Sequence, residues 1–242
     1  MSKIRLGYGS EWQMLRMLGR HRDWFTQQVL RSTGGTSLIW KDFDFTASAG
    51  EAGNFGDAEI KGLNFLPAGH TAQVAWRAWW PQSGNVHNWD AVGVLDRDGA
   101  EEWVLVEAKG NREELLQSTT AKSKVVGGGL EQIEECLAET QKFVGITEPK
   151  VWTTPYYQYA NRLALLHFLA QQSVAARMVF VYFTGDATQG RKCPATEADW
   201  RPALDAMKKQ LGLTGVSSFE KCVHEVFVDV CPKKNSKRPP MS

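Results

Sequence analysis

Apolar residues recur at helical spacing near the start of the chain. Ser10 followed by Gln13 has the form of a capping box, which satisfies free backbone N–H groups at the start of a helix. The apolar side chains that follow predict a helix over residues 11–31, ended by Gly34 and Gly35. These apolar positions are Met14, Leu15, Leu18, Phe25 and Val29.

Three later segments have the composition and spacing of β-strands. They cover residues 72–80, 89–95 and 102–108, and Asp96-Arg97-Asp98-Gly99 supplies a tight turn between the second and the third. In the first segment the large apolar residues occupy every second position. The pattern predicts an antiparallel meander, and residues 37–40 are a candidate short strand before it.

The second half of the chain alternates between helical and strand patterns. Helices are predicted from residue 130 to about 144 and from Thr154-Pro155 onward, with the proline at the first helical position. A strand over 178–184, a helix over 197–211 and a strand over 222–230 follow. We therefore expect an α/β fold with a mixed sheet flanked by helices.

Length and composition indicate one globular domain over residues 1–231. The chain has 242 residues, of which 43% are hydrophobic and 23% charged. No stretch approaches the roughly 18 apolar residues of a membrane span, and residues 1–10 lack the apolar run of a secretory signal. The four cysteines are isolated from one another, so no zinc site is indicated. We expect a soluble, cytoplasmic protein with no membrane partner.

The charge distribution argues against a broadly basic surface. The formal net charge is +1, but the tail over residues 232–242 holds four cations, and without them the balance is 24 − 27 = −3. Nucleic-acid binding would therefore depend on a local patch. We expect the tail to be disordered. Ten tryptophans could stack on bases, but Trp76, Trp80, Trp89 and Trp103 lie in apolar patterns, which favours core packing.

Acidic and basic residues stand at the ends of the second and third predicted strands. Asp90 lies near the start of one strand, and Glu107-Ala108-Lys109 ends its antiparallel neighbour, so these ends should meet. Because strand side chains alternate, Glu107 and Lys109 share a face while Ala108 points away. The small Ala108 side chain leaves its carbonyl approachable as a metal ligand.

This residue set suits phosphodiester hydrolysis. The reaction needs a hard divalent cation, a nucleophilic water and cationic help for the charge that develops on phosphorus. Asp90 and Glu107 would hold Mg²⁺ or Mn²⁺. Lys109 would orient or help to deprotonate the attacking water and stabilise the transition state. The alternative is an ordinary ion pair at a solvated strand end.

Asp90 followed 17 positions later by Glu107-Ala108-Lys109 resembles the PD-(D/E)xK nuclease superfamily. The resemblance implies a restriction-endonuclease-like fold with an α-βββ-α-β core, dependence on Mg²⁺ or Mn²⁺, and cleavage of nucleic acid, with DNA favoured over RNA. Trp89 stands where the family has proline, which is not a metal ligand.

Other polar residues are candidates for the same site. The resemblance implies a further acid from the first helix, and Glu11 fits because its spacing from Met14, Leu15 and Leu18 predicts a buried face. Glu59 is a weaker rival. Gln158, Asn161 and Arg162 open the face of the third helix that later becomes core, which predicts a polar cavity there. A glutamine in that helix resembles the exonuclease-like branch of the superfamily.

Two further functions are compatible with the same residues. The near-neutral charge and the tryptophan-rich loop over 81–89 also suit an interaction module that has the nuclease fold without turnover. An enzyme acting on a small phosphodiester is the third reading. Restriction, repair and phage defence are all open contexts, and so is homo-oligomerisation.

Overall fold

A computed structural model describes residues 9–41, 45–46, 56–57, 60–82, 87–122, 129–186 and 193–231, with the backbone alone at 45–46 and 56–57. The α-helices are α1 (Ser10–Arg20), α2 (Arg22–Thr33), α3 (Thr71–Trp79), α4 (Gly129–Phe143), α5 (Tyr157–Gln171) and α6 (Glu197–Leu211). The strands are β1 (Ser37–Lys41), β2 (Phe45–Thr46), β3 (Gly56–Asp57), β4 (Ile60–Lys61), β5 (Asn88–Trp89), β6 (Ala91–Arg97), β7 (Ala100–Lys109), β8 (Ala176–Thr184) and β9 (Val223–Asp229). A short 3₁₀ helix spans Arg112–Leu115.

A mixed five-stranded sheet organises these elements in the order β1-β6-β7-β8-β9. The first three strands are antiparallel, and β7, β8 and β9 run parallel to one another. The β6–β7 hairpin closes where Arg97 pairs with Ala100, and both linking residues, Asp98 and Gly99, have positive φ. That geometry matches a two-residue hairpin turn, as the Asp-Gly sequence predicts.

The predicted strand over 72–80 is wrong, because this segment forms α3. Its buried positions, Ala72, Trp76 and Trp80, are four residues apart, whereas Val74 is 68% exposed. His70 caps the helix by accepting a hydrogen bond from the Ala72 N–H through Nδ1. The apolar residues of this segment fit both the strand period of 2.0 residues and the helix period of 3.6 residues, and packing in the core favours the helix. The first strand of the meander is β1 instead.

Helices cover both faces of the sheet and create two cores. On one face α1 and α2 pack against residues such as Val104, Val106 and Ala108. On the other, α3 to α6 pack against Leu105 and neighbouring residues. Successive residues of β7 therefore enter opposite cores, as the period of two predicts. The face that holds Leu105 also carries Glu107 and Lys109.

Two predicted helix boundaries differ from the structure. The helix over 11–31 is interrupted at His21, whose φ of −125° lies outside the helical range. The break lets α1 and α2 each direct apolar residues at the same sheet face. The third predicted helix begins at Tyr157, so Pro155 is not its first residue. The later predictions are accurate, and α6 spans the predicted residues.

The tail over 232–242, which we expect to be disordered, lies outside the described residues. Among the described helices, none is both long and apolar enough to cross a membrane.

Candidate active site

The hairpin brings Asp90 to the end of β7. Ala91 pairs with Val106, so Asp90, one residue earlier, lies beside Glu107. The Asp90 N–H donates to the Val106 carbonyl at 3.1 Å, and the Ala108 N–H donates to Asp90 Oδ2 at 2.7 Å. The main chain of β7 therefore fixes the position of the Asp90 carboxylate. This confirms the predicted meeting of the two strand ends.

Glu107 is a buried carboxylate held between two cations. Its side chain is 4% exposed, and Lys109 Nζ lies 2.5 Å from Oε1. Arg162 approaches the other oxygen, Oε2, with Nε at 2.9 Å and a terminal nitrogen at 2.7 Å. Burial raises the pKa of Glu107, but the charges of Arg162 and Lys109 outweigh it and hold the pKa below its ordinary value. Glu107 is therefore ionised at neutral pH.

Lys109 connects the end of β7 to helix α5. Its ammonium donates to Glu107 Oε1 and to Gln158 Oε1, each at 2.5 Å, and the residue is only 7% exposed. An ammonium has three protons, and these described residues accept two of them. The geometry thus places Gln158 beside Lys109, as the polar opening of the helix suggested.

Arg162 contacts several segments of the site. Besides Glu107, it donates to the Asn88 carbonyl at 2.8 Å and to Asn161 Oδ1 at 3.2 Å. Its guanidinium also lies over the Trp89 ring, 4.7 Å from the centroid. Because Asn88 and Trp89 form β5, just before Asp90, this one side chain links the Asp90 segment to the Glu107 strand.

These residues border a polar cavity of about 570 Å³. Asp90, Glu107, Gln158 and Arg162 all line it, and the segment 117–122 lies along one side. The cavity confirms the prediction that the opening of the third helix borders a polar space. The charged groups among its described lining residues are thus two carboxylates, Arg162 and Lys122.

The residues fit a magnesium site in ligand type. Mg²⁺ prefers hard oxygen ligands, and proteins commonly hold it with one or two carboxylates while it keeps several waters. Asp90 and Glu107 supply two carboxylates to one cavity. Within the described ranges, no group of three or more Asp, Glu, His or Cys residues forms a larger ligand cluster. The Ala108 side chain packs in the opposite core, as predicted, and its carbonyl as a ligand stays a prediction.

His87 lies buried in the cavity wall, 3% exposed. Its Nε2 lies 3.0 Å from the Asn161 carbonyl, and because a carbonyl only accepts, Nε2 carries the proton. Burial, together with the charge of Arg162, lowers the pKa of His87 to about 3. The imidazole is therefore neutral throughout the physiological range.

The buried His87 should make stability depend on pH. The folded pKa of about 3 lies below the ordinary histidine value of 6.5, so between these values the unfolded chain binds a proton that the folded chain does not. Stability contributed by neutral His87 is nearly complete above about pH 7 and declines as the pH falls toward 3. Between pH 7 and pH 4.5 the loss should be about 2.5 kcal/mol.

Urea denaturation of wild type and His87→Gln at both pH values measures this loss. Glutamine does not titrate and can still donate to the Asn161 carbonyl, so the variant should lose about 2.5 kcal/mol less between the two pH values. Equal losses in the two proteins would show that His87 does not control this pH range.

Glu11 does not occupy the predicted buried position. It is exposed on α1, whose buried residues are Gln13, Met14, Met17 and Leu18. At 100° per residue, Glu11 lies about 90° from the centre of this buried face, at its edge rather than within it. It is not among the residues that line the cavity. The rival Glu59 lies outside the described residues.

Sequence reasoning did not assign a role in the site to Arg162 or His87. A usable signal existed for Arg162, because it follows Gln158 by four residues and so shares its helical face. An arginine that precedes the apolar run of a fully buried helix also needs a partner charge. The signal for His87 is its position three residues before Asp90, although the sequence favours an ordinary loop histidine there.

Comparison with known proteins finds no match of this chain to a protein family model, to a curated protein or to a solved structure.

Proposed function

We propose that the chain is a divalent-metal-dependent phosphodiesterase that cleaves nucleic acid, with DNA as the substrate, on a restriction-endonuclease-like fold. The observation that carries this proposal is the convergence of Asp90, Glu107 and Gln158 on one polar cavity, with the Lys109 ammonium bonded to both Glu107 and Gln158. The residues come from two neighbouring strands and a helix, and they combine hard oxygen ligands with a cation.

The fold assignment has independent support from the order of elements. Helix α1 precedes an antiparallel β1-β6-β7 meander, α4 and α5 follow, and β8 then joins β7 in parallel. This order is consistent with the α-βββ-α-β core that the sequence resemblance implies. Asp90 and Glu107 lie where the second and third strands of that core meet.

Each residue has a role that its contacts suggest. Asp90 and Glu107 would hold the cation, which when bound supplies Lewis-acid activation of water and charge compensation at phosphorus. Lys109 is held by Glu107 and Gln158 in a fixed direction, and its remaining proton can bond a water or a phosphate oxygen. Gln158 positions Lys109, and Arg162 orients Glu107 and keeps it ionised.

Purified protein incubated with linear, nicked, branched and single-stranded DNA tests the proposal. Cleavage of at least one form should require Mg²⁺ or Mn²⁺ and stop in EDTA. No cleavage of any form, or cleavage that continues in EDTA, would overturn the metal-dependent mechanism.

A second candidate is an interaction module with the same fold and no turnover. It is favoured by the charge balance at Glu107, where each oxygen already contacts a cation and a metal ion would have to compete. Calorimetry separates the two functions. An enzyme should bind Mn²⁺ saturably, and Asp90→Asn should weaken that binding. Absence of saturable binding would favour the module.

A further inference from the structure

The reactive groups of the cavity lie below the protein surface. Glu107 and Lys109 are 3% and 7% exposed, and Asp90 is half-buried. A phosphodiester therefore has to enter the cavity before it can reach Lys109 or a cation held by Glu107. A phosphate of an intact duplex can enter only together with the neighbouring parts of the double helix. The size of the cavity therefore decides whether a duplex phosphate can enter.

The cavity has the size of a small-ligand pocket. Its volume of about 570 Å³ lies within the range of about 300–1,000 Å³ that encloses a small molecule. A sphere of this volume is about 10 Å across, whereas the major groove of B-DNA alone is about 12 Å wide. The space can admit a nucleotide of one strand and cannot admit a double helix.

The lining of the cavity suits one strand as well. Gln117, Ser118 and Thr120 are exposed along one side and offer neutral amide and hydroxyl groups. Asn88, which is exposed, and Asn161, which is buried, also line the cavity. Such groups can bond bases and sugars once these are unpaired, whereas paired bases have already used their Watson–Crick edges.

The described part of the cavity lining holds few cations. Of the described residues that line the cavity, Arg162 and Lys122 are the positively charged ones, because His87 is neutral. Arg162 is bound to Glu107 and to the Asn88 carbonyl, which leaves Lys122, exposed at the side of the cavity, for phosphate. Proteins that grip duplex DNA neutralise about 6–10 phosphates.

We propose that the substrate enters this cavity as an unpaired DNA strand, either a single-stranded end or a segment already opened from the duplex. This inference rests on the phosphodiesterase function proposed above. The scissile phosphate would reach Asp90 and Glu107 in the cavity, where Glu107 is bonded to Lys109, while the adjoining nucleotide contacts the residues of segment 117–122.

Cleavage of three matched DNAs tests the inference. The substrates are a single strand, a duplex with a single-stranded overhang, and the same duplex closed by a hairpin at each end. With Mn²⁺, the first two should be cut at least about 100-fold faster than the paired stem of the third, because only the closed duplex has to be opened first. Lys109→Met should abolish cleavage of all three.

Binding without turnover supplies a second readout. Fluorescence anisotropy in EDTA should show tighter binding of the single strand than of the closed duplex. For the single strand, a plot of the logarithm of affinity against the logarithm of salt concentration should have a slope of about −0.7 to −1.4. This slope corresponds to one or two phosphate contacts. Lys122→Gln should make the slope less steep by about 0.7, because one phosphate contact is lost. Lys150→Gln, which changes a residue outside the cavity lining, should leave the slope unchanged.

The outcomes separate the two proposals. Lys109-dependent cleavage that is equally fast on the closed duplex would overturn the single-strand inference and leave the phosphodiesterase function intact. A steep salt slope on duplex DNA would also overturn it. Failure to cut any of the substrates in the presence of metal, or cleavage that survives Lys109→Met, would overturn the phosphodiesterase function and this inference with it.

Discussion

Lys109→Met should reduce DNA cleavage by about 1,000-fold or more, because a fixed cation that stabilises transition-state charge contributes about 10²–10³ in rate and this lysine also orients the water. The Lys109 ammonium is held by Glu107 and Gln158, so no other described side chain can take its exact place without displacing them. Initial rates with Mn²⁺ under single-turnover conditions measure the loss.

The control for this variant is Lys209→Met, which removes an exposed lysine on α6. It should retain the wild-type rate. Circular dichroism should show that Lys109→Met folds, because Glu107 keeps its contacts with Arg162. A folded Lys109→Met protein with the wild-type rate would remove Lys109 from the mechanism.

Arg162→Met should destabilise the protein by about 3–5 kcal/mol, the usual effect of removing one partner from a buried ion pair. The loss leaves Glu107 Oε2 and the Asn88 carbonyl without the donors that now satisfy them, in a region where the Arg162 side chain is 4% exposed. Guanidinium denaturation at pH 7.5 measures the free energy of unfolding.

Arg97→Met is the matched control, because Arg97 also bonds a glutamate but is 42% exposed at its side chain. Its partner Glu102 keeps Arg177, so the cost should be below about 1 kcal/mol. The loss of stability in Arg162→Lys should lie between those of Arg162→Met and Arg97→Met, because lysine lacks the forked guanidinium that reaches Glu107 and Asn88 together. Similar losses for Arg162→Met and Arg97→Met would contradict this account of the Glu107 ion pairs.

The accurate predictions concern features that neighbouring residues define. Alternation along β7 predicted that Glu107 and Lys109 share a face and that Ala108 points into the other core. The Asp98-Gly99 turn predicted the hairpin that brings Asp90 to Glu107. Helix α6 spans residues 197–211, as predicted.

The errors arose where a local pattern fits two structures. Residues 72–80 satisfy both a period of two and a spacing of four, and burial of Trp76 and Trp80 against the other helices selected the helix. The buried face of α1 was predicted wrongly, because Leu15 was assigned to the core. Leu15 is 45% exposed, and Glu11, assigned to the same face, is exposed as well. Such choices depend on where the helix meets the sheet.

Residue chemistry and short-range periodicity alone supplied the acids, the lysine, their common strand face and the glutamine of the following helix. Tertiary structure decided which partners meet them. Gln158 is 49 residues from Lys109, and Arg162 is 55 residues from Glu107. Because periodicity describes only a residue's own element, it carries no information about which distant side chain the folded chain brings into contact.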